Sequence, residues 1–312
     1  MLAHSKGLVL FADGCDRATA SSTRLHALDV IADKGVSGWL SIRIPPCCSG
    51  SSGVALAQVL GVMPSRLAAC KGRLSELDGF ESKGEKEVSL NERYGGLRVK
   101  VLSNREEVLG LQDTLRLDCE LLEKPPGAGL SSHKLGEQLV DKVRKALDGS
   151  ADLLILHLDA RAMDEGQNAE LQTAQCLQTL AVVANNVWGD GNIDMLQCMM
   201  LAHRQDLGSF TFGSDGKEQN GHIHSLQDQL RSFLRPPQSS TMHNGRVLNE
   251  EEDGVEQRVI ICTNHPEATR RDHVKAFDTE QICKLGGNGG FLAQHWLSET
   301  AFLLGKMPKY GA

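Results

Sequence analysis

The chain predicts an α/β fold: a mostly parallel central sheet with helices on both faces. Three observations carry this. Short apolar runs, Leu8-Val9-Leu10-Phe11-Ala12 and Leu153-Leu154-Ile155-Leu156, have the composition of strands buried on both sides. Stretches of helical period lie between the strand-like runs, the pattern of parallel sheets covered on both faces. Finally, the first run stops on Asp13-Gly14, and a small-residue elbow, Cys48-Ser49-Gly50-Ser51-Ser52-Gly53, opens an apolar helical stretch. A carboxylate released at a strand end, beside a serine at a helix start, is how α/β proteins assemble metal-and-phosphate sites.

Taken in order, 7–12 reads as a buried strand. Residues 21–34 read as a helix with Leu25, Leu28, Ile31 and Ala32 on one face and Gly35 as its stop. Val36 to Ile44 reads as a strand ended by Pro45-Pro46, and Val54 to Leu60 as a helix. From 63 to 95 the chain turns polar and rich in Gly, Lys and Glu, as a short cap or insertion would. Residues 97–102 alternate like a strand, and 124–133 is a loop by its Pro and Gly content. A helix over 133–147 aligns Leu135, Leu139, Val143 and Leu147 and leads into the strongest strand, 153–159. A helix over 167–184 follows. Residues 185–222 carry no assignment apart from the apolar run 195–202. The polar stretch 235–258 reads as a loop whose run Glu250-Glu251-Glu252-Asp253 is a solvated face. A strand over 259–263 and a helix over 290–305 close the chain. No internal repeat is visible, and 1–312 reads as one domain.

The 312 residues suffice for a large core. A net charge of -7 argues against nucleic-acid backbones as partners, and an aromatic content of 4% against base stacking. Nine cysteines, without a Cys-x-x-Cys, suit a reducing compartment. No stretch reaches the length of a membrane span. The expectation is a soluble, cytoplasmic protein.

Several residues are candidates for chemistry. Asp13 is either a ligand for a hard divalent cation or a turn cap with Gly14. Ser49, Ser51 and Ser52 compete as nucleophile; no histidine is close in sequence, so activation would run through a metal ion. Against this stands the plain alternative of an N-capping serine. His157, Asp159 and Asp164 lie at or beyond the strongest strand and could extend a ligand set; His157 could equally be a satisfied core histidine, and Asp164 a turn residue. His265 and His273, with Asp272 adjacent, are nitrogen-ligand candidates at a spacing that matches no tight motif. His222 and His224 read as surface. Gly286-Gly287-Asn288-Gly289-Gly290 before a helix could cradle a phosphate.

In this order the residues resemble the archaeal-type cofactor-independent phosphoglycerate mutases, within the alkaline phosphatase superfamily. The family opens with a strand ending in Asp-Gly. A helix of the type Asn-Leu-Asp-x-Leu-Ala-x-x-Gly-x-x-Gly follows, matched here by Leu28-Asp29-Val30-Ile31-Ala32-Asp33-Lys34-Gly35-Val36-Ser37-Gly38. The family's Gly-Ser-Asp-Thr-Ala-His-Leu-Ala-Leu-Leu-Gly segment, counted back from Gly61, places its nucleophile on Ser52. Leu90-Asn91-Glu92-Arg93-Tyr94-Gly95, Pro126-Gly127-Ala128-Gly129 and the strand Asp152 to Asp159 match later segments, so the similarity covers about 7–180. It implies an alkaline-phosphatase-like fold and a serine phosphotransferase (mutase or phosphomonoesterase) of the 2,3-bisphosphoglycerate-independent type. The implied ligands for manganese, magnesium or zinc are Asp13, Asp164, His265 and His273, and the implied partner is a small phosphorylated metabolite.

The pattern also departs from the family. Asp164-Glu165-Gly166-Gln167 stands where the family has Asp-Glu-Ala-Gly-His, and Gly53-Val54-Ala55-Leu56 where it has Asp-Thr-Ala-His. Losing ligands weakens metal binding and alkoxide formation at Ser52. The second reading is therefore a catalytically degenerate relative kept for binding or regulation.

Overall fold

A computed structural model describes residues 6–23, 25–48, 50–79, 89–123, 131–164, 166–189, 195–204, 242–243, 246–247, 255–265 and 272–308. At its centre is an eight-stranded sheet. Strand β1 (Lys6–Cys15) lies mid-sheet between β5 (Leu153–Asp159) and β6 (Met195–His203) and is parallel to both. Beyond β5 come β3 (Val99–Ser103) and β4 (Asp118–Leu121), again parallel. Beyond β6 come β9 (Val255–Asn264), β2 (Val36–Ile44) and β10 (Gly289–Leu292). In this sheet β9 alone runs against its neighbours. The predicted fold class is the one observed.

Side-chain alternation divides β1 between two cores. Val9 and Phe11 join the core under α3 (Val54–Val59), where Leu56, Ala57 and Leu60 are buried. Leu8, Leu10 and Ala12 join the opposite core, closed by α2 (His26–Lys34), α7 (Ser132–Asp148) and α8 (Ala169–Trp188) through Ile31, Val143 and Leu180. The long helices begin where side-chain caps allow: Ser131 accepts from the Lys134 amide and Asn168 from the Leu171 amide. The stretch 63–95 contributes to the first of these cores, since α4 (Pro64–Ala69) buries Leu67 and α5 (Leu90–Arg93) buries Leu90, with Leu74 and Leu77 between them; α6 (Gly110–Leu115) adds Leu111 and Leu115 to it.

Where structure and sequence differ, local chemistry explains it. The single helix predicted over 21–34 is two, α1 (Arg17–Ser22) and α2. Asp16 caps α1 by accepting from the Thr19 amide, and the Thr23 hydroxyl and amide both return to the Thr19 carbonyl, which closes the first helix. Gly35 does stop α2, but for want of space: a Cβ there would lie 2.5 Å from the Thr263 carbonyl oxygen of β9. The predicted polar loop 235–258 contains a two-stranded ladder, β7 (Met242–His243) with β8 (Arg246–Val247), and the start of β9. The predicted helix 290–305 begins as β10 and becomes α10 (Ala293–Leu303). The glycine run thus ends in an edge strand against β2 at Gly289 and Gly290, and its contacts are with protein groups: a Cβ on Gly290 would lie 2.3 Å from Trp39 Nε1, and Asp272 accepts from the Gly287 amide at 3.0 Å. Strand β4 and α9 (Thr279–Leu285) answer to no prediction. Ser49, His222, His224, Pro126 to Gly129 and the acidic run 250–253 lie outside the described residues. Among the described residues no helix is long and apolar enough to cross a membrane, and all nine cysteines are free thiols.

Asp152, just before β5, ties the sheet to the end of the chain. It accepts from Arg98 Nε at 3.1 Å and Nη2 at 2.9 Å, and pairs with Lys306 Nζ at 3.0 Å. Burial alone would raise its pKa, but the bonds from Arg98 and the Lys306 charge hold it down at about 2. A depressed carboxylate stabilises the fold above its unfolded pKa, near 3.9, and loses that contribution as pH falls through the folded value. Asp152→Asn should thus be less stable than wild type by a constant margin above about pH 5, and the margin should shrink towards nothing as pH approaches about 2. Urea unfolding across that range measures it; a margin independent of pH would refute the assignment.

Candidate functional site

The same alternation that splits the cores builds the site. Val9, Phe11 and then Asp13 face the α3 side of β1, and Ile155, His157 and Asp159 face it on β5. Asp13 and Asp159 are register partners on adjacent strands, at the carboxyl edge of the parallel sheet. Ser52 stands immediately before Gly53 (φ 74°), the residue that caps α3, over the same edge. Its hydroxyl donates to Asp159 Oδ2 at 2.7 Å.

Asp159 is fully buried and is the hub of the cluster. Arg161 grips it as a fork, Nε to Oδ1 at 2.9 Å and Nη2 to Oδ2 at 2.7 Å, and adds its main-chain amide to Oδ1 at 2.9 Å. Arg105 donates Nε to Oδ2 at 3.1 Å. Asn104 clamps the backbone of Asp159 by donating Nδ2 to its carbonyl and accepting from its amide. Burial opposes the charge on Asp159, but the Arg161 fork, the Ser52 hydroxyl and the Arg105 charge hold its pKa well below the usual carboxylate range. Gly14 leaves room for the fork, since a Cβ there would lie 2.7 Å from Arg161 Nε. The far end of Arg161 donates Nη1 to the Gly50 carbonyl at 2.9 Å and so fastens the elbow.

His157 is also fully buried and is satisfied on both ring nitrogens: Nε2 lies 3.2 Å from Asp13 Oδ2 and Nδ1 2.9 Å from Ser103 Oγ. Its ring meets Phe11 edge-on, with centroids 5.4 Å apart. Ser103 Oγ accepts from the Arg105 amide, so its proton can serve His157 Nδ1, which leaves Nε2–H to donate to Asp13.

The structure thus brings Asp13, Ser52, His157 and Asp159 to one edge and one face. It does not bring the other predicted ligands there. Asp164 is half-buried beyond the turn and accepts from the Gly166 amide at 3.1 Å, the turn residue its sequence allowed. His265 and His273 are misplaced for a shared metal set, because β9 is antiparallel. Asn264 pairs with Gln197, beside Leu8 in β1, so His265 lies roughly 16 Å or more from Asp13, at the amino edge of the parallel strands. His273 is exposed next to Asp272, which accepts from the Ser37 amide at the start of β2. The divalent ions implied by the resemblance do not fit these residues. Among the described residues no three His, Cys, Asp or Glu side chains are placed to hold a metal, and both oxygens of Asp159 are taken by guanidinium N–H groups.

Arg161, Arg105 and Asn104 are absent from the sequence-level candidates. A detectable signal existed for one of them: an arginine two positions beyond a strand-end aspartate can fold back on it. His203 was also missed. It ends β6 on this edge but on the other face, beside Cys15; burial and the Arg17 charge lower its pKa to about 4, and it lies 3.3 Å from Thr279 Oγ1.

No family model matches the sequence, and no curated protein matches it. Solved structures do share the fold. The PH0037 protein of Pyrococcus horikoshii superimposes over 100% of both chains with a TM-score of 0.62 at 13% identity. The lipoteichoic acid synthase LtaP of Listeria monocytogenes aligns with 99% of this chain and 74% of its own, with a TM-score of 0.52 and 10% identity. The 2-O GAG sulfatase BT1596 aligns with 99% of this chain and 73% of its own, at a TM-score of 0.50 and 9% identity. At 13% identity or less these likenesses show a shared fold, a mostly parallel sheet covered by helices, carried here by a divergent sequence.

Proposed function

We propose that this chain uses a phosphoryl-transfer fold to bind a small phosphorylated metabolite without turning it over, a degenerate relative of phosphoglycerate mutase and not a working mutase or phosphomonoesterase. The observation that carries this is the partner of Ser52. A serine becomes a nucleophile only when a metal ion or a base with a pKa near the working pH takes its proton. The hydroxyl of Ser52 instead donates to Asp159, whose two oxygens already answer to Arg161 and Arg105 and whose acid is far too strong to accept a proton at neutral pH.

Binding is argued from the same groups. Arg105 spends only Nε on Asp159, and its side chain remains 24% exposed at the rim, where a guanidinium favours a phosphate. Ser52 is half-buried beside it.

The test pairs turnover with binding. With millimolar manganese, 3-phosphoglycerate and p-nitrophenyl phosphate should be consumed no faster than in buffer. The melting temperature should rise with 3-phosphoglycerate by mass action, and Arg105→Ala should abolish that rise. Turnover that disappears in Ser52→Ala and Asp13→Asn would restore the enzyme reading. A melting temperature indifferent to phosphate esters would remove the binding reading.

A further inference from the structure

We infer that Arg161 is the resident cation of this site, a side chain standing in for the divalent ion that would otherwise balance the carboxylates at the strand ends. Asp13 and Asp159 are buried and lie opposite each other on adjacent strands, an arrangement of like charges that is unfavourable unless a cation is supplied. The chain supplies two guanidiniums itself: Arg105 reaches one oxygen of Asp159 at 3.1 Å, and Arg161 engages both. Arg161 presents two nitrogens to Asp159 at 2.7 and 2.9 Å, while its main-chain amide is held by the same carboxylate at 2.9 Å.

Two features show that the position is built for a guanidinium. Gly14 turns at φ 64° directly beside the fork, and any side chain there would begin 2.7 Å from Arg161 Nε. The distal Nη1 is fixed to the Gly50 carbonyl at 2.9 Å, so the cation also holds the serine elbow over the strand ends. A guanidinium keeps its charge at every physiological pH and cannot be chelated away. The site is therefore balanced permanently and independently of metal supply. This inference stands whether or not a phosphate ester binds, since it concerns the charge balance of the unliganded chain.

Thermal unfolding of the full chain in EDTA and in millimolar manganese chloride tests it. Wild type should melt identically in both. Arg161→Ala should melt roughly 5 °C lower in EDTA and regain part of that loss with millimolar manganese or guanidinium chloride. The recovery should vanish in the Arg161→Ala, Asp159→Asn double variant. Arg161→Lys keeps the charge without the fork and should stay indifferent to manganese. Wild type stabilised by manganese, or purified with a stoichiometric divalent ion, would overturn the inference. So would an Arg161→Ala variant no more responsive to cations than wild type. Should the alanine variant fail to fold, the lysine variant decides: a folded lysine variant that ignores manganese supports a resident charge, and one that gains a response to it refutes the idea.

Discussion

Replacing Asp159 with alanine is expected to destabilise the chain by about 3–5 kcal/mol, the range for breaking a buried ion pair by removing one partner. For a domain of this size that corresponds to a melting temperature lower by roughly 5–8 °C. Asp159 is fully buried, and the loss does not stop at its own contacts. Arg161 and Arg105 would be left facing each other with no carboxylate between them, their side chains only 17% and 24% exposed. Removing Arg161 instead leaves Asp159 with Arg105, so Asp159→Ala should be the more damaging change. Asp159→Asn should fall between, because the amide keeps one acceptor oxygen but turns an NH2 group towards guanidinium donors. Arg161 also holds the Gly50 carbonyl, so the alanine variant should become susceptible to proteolysis at the elbow around Gly50 to Gly53 before it unfolds globally. Urea unfolding measures the first effect and limited proteolysis the second. A loss under about 1 kcal/mol would mean that the cluster behaves as a solvent-screened surface pair and not as a buried hub.

The parts of this fold legible in the sequence are those whose physics is local. Strands β1, β5 and β6 are mostly apolar because both of their faces are covered, with polar residues concentrated at their ends, and β5 coincides with its prediction at both ends. Helices α7 and α8 show their buried faces through residue spacing alone. By contrast, β4 is a short, half-exposed edge strand, and β10 is made of Gly289-Gly290-Phe291-Leu292, where glycine is required by the Trp39 ring and not by a phosphate. The direction of β9 is set by how the chain returns from β6. No residue of Val259 to Thr263 encodes that direction, yet it decides that His265 lies at the wrong edge for Asp13. Within the site, Asp13 and Ser52 are legible as a strand-end carboxylate and a helix-start serine. Their meeting through Asp159 needs the β1–β5 register. Arg161 and Arg105 are hidden for another reason: an arginine in a loop looks like surface until the carboxylate beneath it is located.

Gly14→Val carries the second large expected effect, about 3–4 kcal/mol, and it separates two roles that the Asp13-Gly14 pair combines. Gly14 has φ 64°, a left-handed conformation that costs an L-residue roughly 1–2 kcal/mol and a β-branched one the most. The remainder is steric and electrostatic. A Cβ would stand 2.7 Å from Arg161 Nε and 3.0 Å from Asp159 Oδ1, so the fork must move off its carboxylate. The two parts can be told apart by repeating the substitution in an Arg161→Ala background. There the obstructing guanidinium is gone, and the cost of Gly14→Val should fall to the backbone part alone, about 1–2 kcal/mol. An undiminished cost would show that strain at the turn accounts for the whole effect and that the fork does not need the space Gly14 leaves. A reduced cost ties the strand-end glycine, which in sequence reads only as part of a turn, to the seating of the cation that neutralises Asp159.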